Sequence, residues 1–138
     1  MADAAFSLDP RLETTSFPVA DWPLCHVRLC DDARWPWLLL VPRREGVVEL
    51  FDLTTKDRAV LIEEATLAAT VVRDLIGADK TNVATLGNQV PQLHVHAIGR
   101  LKTDPAWPGP VWGVGQAVPY DATDRAALIG RIRNMVKL

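Results

Sequence analysis

Gln92-Leu93-His94-Val95-His96-Ala97-Ile98 is the stretch on which both the fold and the chemistry turn. On an extended chain successive side chains point to opposite faces, so Gln92, His94 and His96 share one face and Leu93, Val95 and Ala97 the other. The apolar row must pack under a cover. The polar row then faces a cleft or solvent, its members about 6.6–7 Å apart. Two imidazoles at that spacing can contact neighbouring atoms of one small group, such as a phosphate and its leaving oxygen. A neutral imidazole can attack phosphorus while the other, as imidazolium, stabilises charge or donates a proton.

The residues just upstream suit the same ligand. Gly87-Asn88-Gln89 is a tight connection in which Gly87 and Asn88 permit positive φ, so that backbone N–H groups can be aimed at an anion. Asn88, Gln89 and Gln92 add neutral donors, and Thr81 to Leu86 reads as the preceding strand.

The cover for the apolar row is the clearest element. Thr54 and Asp57 are spaced as a capping box with Asp in place of Glu. Val60, Leu61, Ala65, Leu67, Ala68, Val71, Val72 and Leu75 then recur at helical spacing, and Gly77 ends the pattern. The spacing predicts a helix of about five turns laid on a sheet. Further upstream, Trp37 to Val41 is a continuous apolar run stopped by Pro42, as in a strand covered on both faces. Cys25 to Cys30 alternates and joins that run through the polar turn Asp31-Asp32-Ala33-Arg34, so the two strands should be antiparallel. Asp9 to Glu13, with Pro10 at its first position, reads as a short helical turn, and Pro18 reads as a further breaker in the first twenty residues. Downstream, Pro105 to Pro119 shows no periodicity, and a closing helix from about Thr123 places Leu128, Ile132, Met135 and Val136 on one face. The order is that of an α+β domain with an antiparallel sheet.

Composition bounds the function. The 138 residues carry 15 Lys+Arg against 17 Asp+Glu, for a net charge of -2, with 49% hydrophobic and 23% charged residues. These are values of an ordinary globular domain and exclude disorder, collagen and coiled coil. Without basic blocks, neither nucleic acid nor a membrane surface is the expected partner. The longest apolar run, Trp35 to Pro42, is too short to span a bilayer. Met1 to Ala5 lacks a basic segment followed by an apolar one, so a cytoplasmic location is expected. Cys25 and Cys30, an odd separation apart on a strand, face opposite ways and are expected to be reduced thiols. The five tryptophans are read as packing.

On these residues alone three readings of the His pair stand: phosphate chemistry, a metal site and satisfied structural histidines. A metal would need a third ligand, for which His26 is the one remaining histidine. His26 itself, beside Arg28 in the polar row of its strand, reads as structural.

The segment resembles the signature of the histidine-triad (HIT) superfamily of nucleotidyl hydrolases and transferases. In that signature three histidines alternate with apolar residues on a strand, and it stands here as Gln92-Leu93-His94-Val95-His96-Ala97-Ile98-Gly99-Arg100. Trp37-Leu38-Leu39-Leu40-Val41-Pro42-Arg43-Arg44 is similar to the family's strand ending in Val/Ile-Pro-Lys/Arg, and Asn82 precedes the glycine turn much as a family Asn does. The resemblance covers roughly Leu24 to Arg100 and implies one HIT-like domain over residues 1–138, with 105–138 as a C-terminal extension. It implies a five-stranded antiparallel sheet with one long helix and a C-terminal helix, assembled as a homodimer. It further implies that His94 attacks the α-phosphate of a nucleotide to form a nucleotidyl-histidine. His96 would then bond the phosphate or leaving group, and Asn82, Gly87, Asn88 and Gln89 would hold phosphate oxygens. No cofactor or metal is required. The substrate implied is a dinucleoside polyphosphate or a nucleoside phosphoramidate, with a catalytically weak nucleotide-binding module as the alternative.

Three positions depart from the pattern. Gln92 stands at the first triad position and cannot be protonated near neutral pH. Glu45 follows Pro42-Arg43-Arg44 where many relatives carry a further His, and Leu29 stands near where some place an acid on the ribose.

Overall fold

Residues 5–138 are described by the computed structural model. The chain runs α1 (Pro10–Glu13), β1 (Ser16–Asp21), β2 (Cys25–Cys30), β3 (Trp37–Pro42), a 3-10 turn (Leu50–Asp52), α2 (Thr55–Ile76), β4 (Lys80–Thr85), β5 (Val95–Arg100) and α3 (Ala122–Met135). The strands form one antiparallel sheet in the order β1-β2-β3-β5-β4, which is the α+β architecture expected.

Alternation along the strands splits the core in two. Val27, Leu29, Leu38, Leu40, Val95 and Ala97 face α2, meeting Leu61, Ala65, Ala68 and Val72. On the opposite face Trp37, Leu39, Val41 and Ile98 pack with Leu12, Trp35 and Val111, flanked by Phe6, Leu8 and Trp112. The N-terminal segment and the turns that precede α3 therefore cover the face on which the histidines lie, while α3 itself packs on the α2 side through Ile129 and Ile132.

Local signals place α2 well. The Thr54 hydroxyl accepts the Asp57 N–H, and Gly77 closes the helix at φ 62°. The Asp57 carboxylate turns to Arg44 instead of completing a capping box. The helix is 22 residues long, about six turns and not five. Its buried stripe includes Glu64, whose carboxylate accepts the N–H groups of Leu24 and Cys25, each at 2.9 Å. That residue stands where the apolar pattern has a gap.

Four boundaries differ from expectation. β1 was not foreseen, because Pro18 lies inside it. Proline is tolerated there since β1 is a sheet edge and its register shifts between Pro18 and Ala20. β5 begins at Val95 and not at Gln92, since the Leu93 N–H is drawn to the Val47 carbonyl at 3.0 Å. Pro105 to Pro119 is a run of turns, the first held by the Asp104 carboxylate on the Ala106 and Trp107 N–H groups. In α3 the buried residues are Ile129 and Ile132, while Met135 is exposed.

Candidate active site

His96 sits within β5, opposite Leu39 of β3 on one side and Ala84 of β4 on the other. His94 lies one residue before the strand. Both side chains are buried, and their rings meet edge to face with centroids 4.9 Å apart. The alternation read from the sequence thus brings the pair together although the ladder begins later than expected.

Hydrogen bonding fixes the proton on each ring. The His94 Nδ1 lies 2.7 Å from the Gln92 carbonyl oxygen, so Nδ1 carries a hydrogen and the neutral ring has its lone pair on Nε2. The His96 Nδ1 accepts the Trp37 indole N–H at 2.9 Å, and its Nε2 donates to the Leu86 carbonyl at 3.3 Å. Burial, with His94 alongside, pushes the His96 pKa down to about 4, so His96 is neutral at pH 7. The expectation that the partner imidazole is charged does not describe His96 in this arrangement.

Trp37 and Trp112 complete the setting. The His96 ring lies 5.7 Å from Trp37 and 5.1 Å from Trp112, and the two indoles are 5.9 Å apart, edge to face. Both belong to the same chain as the histidines. Sequence reading took all five tryptophans as packing; the register of β3 on β5 puts Trp37 opposite Ile98, two residues and one same-face position from the Leu39–His96 pair.

A cleft of about 120 Å³ opens beside His94, lined by Val48, Glu49, Thr85, Gly87, Asn88, Gln92 and Leu93. Gly87 is required by proximity: a Cβ there would lie 2.7 Å from the Val90 carbonyl oxygen and 3.3 Å from His94 Cε1. Asn88 is exposed on the cleft wall. Gln89 is exposed too, and its carbonyl accepts the Arg11 guanidinium at 2.8 Å.

Two expected members point elsewhere. The Asn82 carboxamide oxygen is held by Arg100 at 2.8 Å, in a buried cluster where Arg100 also pairs with Asp104 at 2.7 Å. That pairing holds the Asp104 carboxyl down at about 2. The Gln92 side chain turns to the N-terminal segment, accepting the Asp9 N–H at 2.8 Å and donating to the Ser7 carbonyl at 2.9 Å.

His26 is held by Asp21 at 2.7 Å and by Arg28 at 3.1 Å, the structural role read from the sequence. Cys25 and Cys30 are free, and burial raises both thiols, Cys30 to about 12. Among the described residues no three or more His, Cys, Asp or Glu are disposed to hold a metal ion, and no helix is long and apolar enough to cross a membrane.

One antiparallel sheet, a long covering helix and two edge-to-face histidines beside a glycine turn define a single-sheet α+β protein with a small polar cleft. The chain belongs to the HIT domain family, whose model matches residues 11–103. Its fold superposes on a histidine triad protein from Sinorhizobium meliloti with a TM-score of 0.93 and 45% identity, covering 96% of this chain and 98% of that one. A histidine triad protein from Bradyrhizobium japonicum gives a TM-score of 0.93 at 44% identity over 96% and 99% of the two chains. One from Marinobacter aquaeolei gives 0.91 at 41% over 94% and 95%. No curated protein matches the sequence.

Proposed function

We propose that this protein is a nucleotide hydrolase or nucleotidyl transferase acting at the α-phosphate of a dinucleoside polyphosphate or nucleoside phosphoramidate. The observation that carries the reading is the 2.7 Å contact of His94 Nδ1 with the Gln92 carbonyl, which makes Nε2 the lone-pair nitrogen of the neutral ring, on a side chain lining the cleft. The Nε2 lone pair attacks phosphorus, and the bond to the leaving group breaks with its electron pair. A leaving phosphate departs as its anion, and a leaving nitrogen as the amine after taking a proton from solvent, to which the hydrolytic water later returns one. The resulting nucleotidyl-imidazole is cationic and keeps its Nδ1–H on the carbonyl, a charge-assisted bond that strengthens as the charge forms. Water then cleaves the P–N bond, releasing a nucleoside monophosphate and restoring the neutral ring.

His96 supports the attack from the side. Its longer bond, Nε2–H to Leu86 at 3.3 Å, is the one that can be exchanged for a phosphate or leaving-group oxygen, while Trp37 holds the other edge. Gly87, Asn88 and Gln89 supply the turn beside the phosphate. The reaction needs no cofactor or metal. A nucleotide is the partner and a second copy of the chain the assembly partner, giving a homodimer.

The test is turnover across phosphoramidates, dinucleoside polyphosphates and nucleotidyl sugars, read by released monophosphate. His94→Ala is expected to lower release by at least about 10³-fold, the order seen when a nucleophile is removed. Mass spectrometry of quenched wild-type protein should show one nucleotidyl adduct on His94. Wild-type release by His94→Ala ends the mechanism. Binding across the panel without turnover favours the weak-module alternative, for which the absence of a titratable group at Gln92 is the motive.

A further inference from the structure

Gln92 faces the cleft with its backbone and the N-terminal segment with its side chain. Its carboxamide accepts from the Asp9 N–H at 2.8 Å and donates to the Ser7 carbonyl at 2.9 Å. That is a donor and an acceptor, side by side, meeting two main-chain groups two residues apart, as a neighbouring peptide would. An amide offers the two on adjacent atoms of one planar end; the two nitrogens of an imidazole point apart, and a carboxylate lacks the donor.

The fastening closes a ring. Asp9 caps α1 through the Arg11 N–H and pairs with the Arg11 guanidinium at 2.9 Å. Arg11 in turn donates from Nη1 to the Gln89 carbonyl at 2.8 Å. Residues 89–92 are thus gripped at both ends by the segment 7–11. The last of them, Gln92, offers the carbonyl that receives His94 Nδ1–H at 2.7 Å.

We propose that Gln92 is a positioning residue: its side chain fastens the N-terminal segment to the turn beside the cleft, and that fastening aims the His94 ring. The inference rests on the reading of His94 as nucleophile. It gives position 92 a task that histidine geometry cannot perform.

The experiment compares the 138-residue chain with Gln92→Ala and the similarly long Gln92→Met. Amide exchange at Asp9, whose N–H is bonded to Gln92, is expected to accelerate tenfold or more in Gln92→Ala. The His94 ring 15N shifts should move from one Nδ1–H tautomer toward a mixture. Release of monophosphate should lose about tenfold in kcat with KM within twofold, since aim and not binding is disturbed. Arg11→Met should act in the same direction, and its combination with Gln92→Ala should fall short of the product of the two losses. Unchanged Asp9 exchange, or an unchanged His94 tautomer, overturns the proposal. So does a rise in KM at constant kcat, which would put the carboxamide on the substrate. If wild-type protein turns over none of the panel, the nucleotide reading fails by itself, and the exchange and 15N arms still decide the role of Gln92. Gln92→Met, which keeps the side-chain length and loses both the acceptor for the Asp9 N–H and the donor to Ser7, reproduces the exchange effect should Gln92→Ala fold poorly.

Discussion

At the scale of single residues the site depends on what each imidazole is denied. His94 gives its Nδ1 proton to a main-chain carbonyl, and His96 has both nitrogens engaged. For His96 the consequence is a pH dependence of known sign. Its folded pKa, about 4, lies below the ordinary 6.5, so the unfolded chain binds the proton first as pH falls. Stability is full above about 6.5, declines from there to about 4, and levels off below. Urea midpoints at pH 7 and 5 should differ in the wild type by more than in His96→Gln. Gly87 makes a second residue-scale prediction. Its missing Cβ would fall 2.7 Å from the Val90 carbonyl oxygen, which is backbone and does not yield as a side-chain tip does. Gly87→Ala should therefore lose about 1–3 kcal/mol in thermal or urea unfolding, the scale of overpacking. Turnover should fall further than stability, because the methyl presses on His94.

Among the elements, α2 shows both what periodicity captures and what it misses. The stripe from Val60 to Leu75, the Thr54 cap and the Gly77 stop were legible, and each rests on local chemistry that needs no distant partner. Glu64 was not legible. A glutamate next to Glu63 reads as solvated surface, and only the arrival of Leu24 and Cys25 gives it two N–H groups to accept. Glu64→Leu leaves those donors buried and unpaired and should cost about 2–4 kcal/mol by urea unfolding. Glu64→Gln, which retains one acceptor oxygen, should cost less. β1 shows the same limit from the other side. Pro18 argued against a strand, and the edge position that makes it harmless is a property of the sheet, not of the segment.

The whole molecule brings two distant segments to the histidine face. Leu12 and Phe6 from the N-terminal segment and Val111 and Trp112 from the turns before α3 close over Trp37 and Ile98. The opposite side is left less complete. Ile62 and Val83 are exposed at 60% and 46% beside a groove of about 380 Å³ between α2 and the edge strand β4. An edge strand flanked by apolar side chains is where the second copy proposed above would dock. Sedimentation at micromolar concentration should give twice the 15.2 kDa chain mass for the wild type. Ile62→Asp should give the single-chain mass with its circular dichroism unchanged. A wild-type monomer would remove the dimer from the proposal.

The sequence by itself determined four of the five sheet-forming runs, the long helix and the meeting of His94 with His96. These follow from periods of two and 3.6 and from caps that act within a few residues. It also supplied the family likeness that its match over residues 11–103 bears out. Tertiary structure decided which atoms of those residues are free to act. Asn82 is engaged by Arg100, the Gln92 side chain by Ser7 and Asp9, and His96 by Trp37, contacts that span 18 to 85 positions in sequence. A hydrogen bond depends on placement to within tenths of an ångström, and for partners so far apart in the chain that placement is set only when the whole sheet has formed.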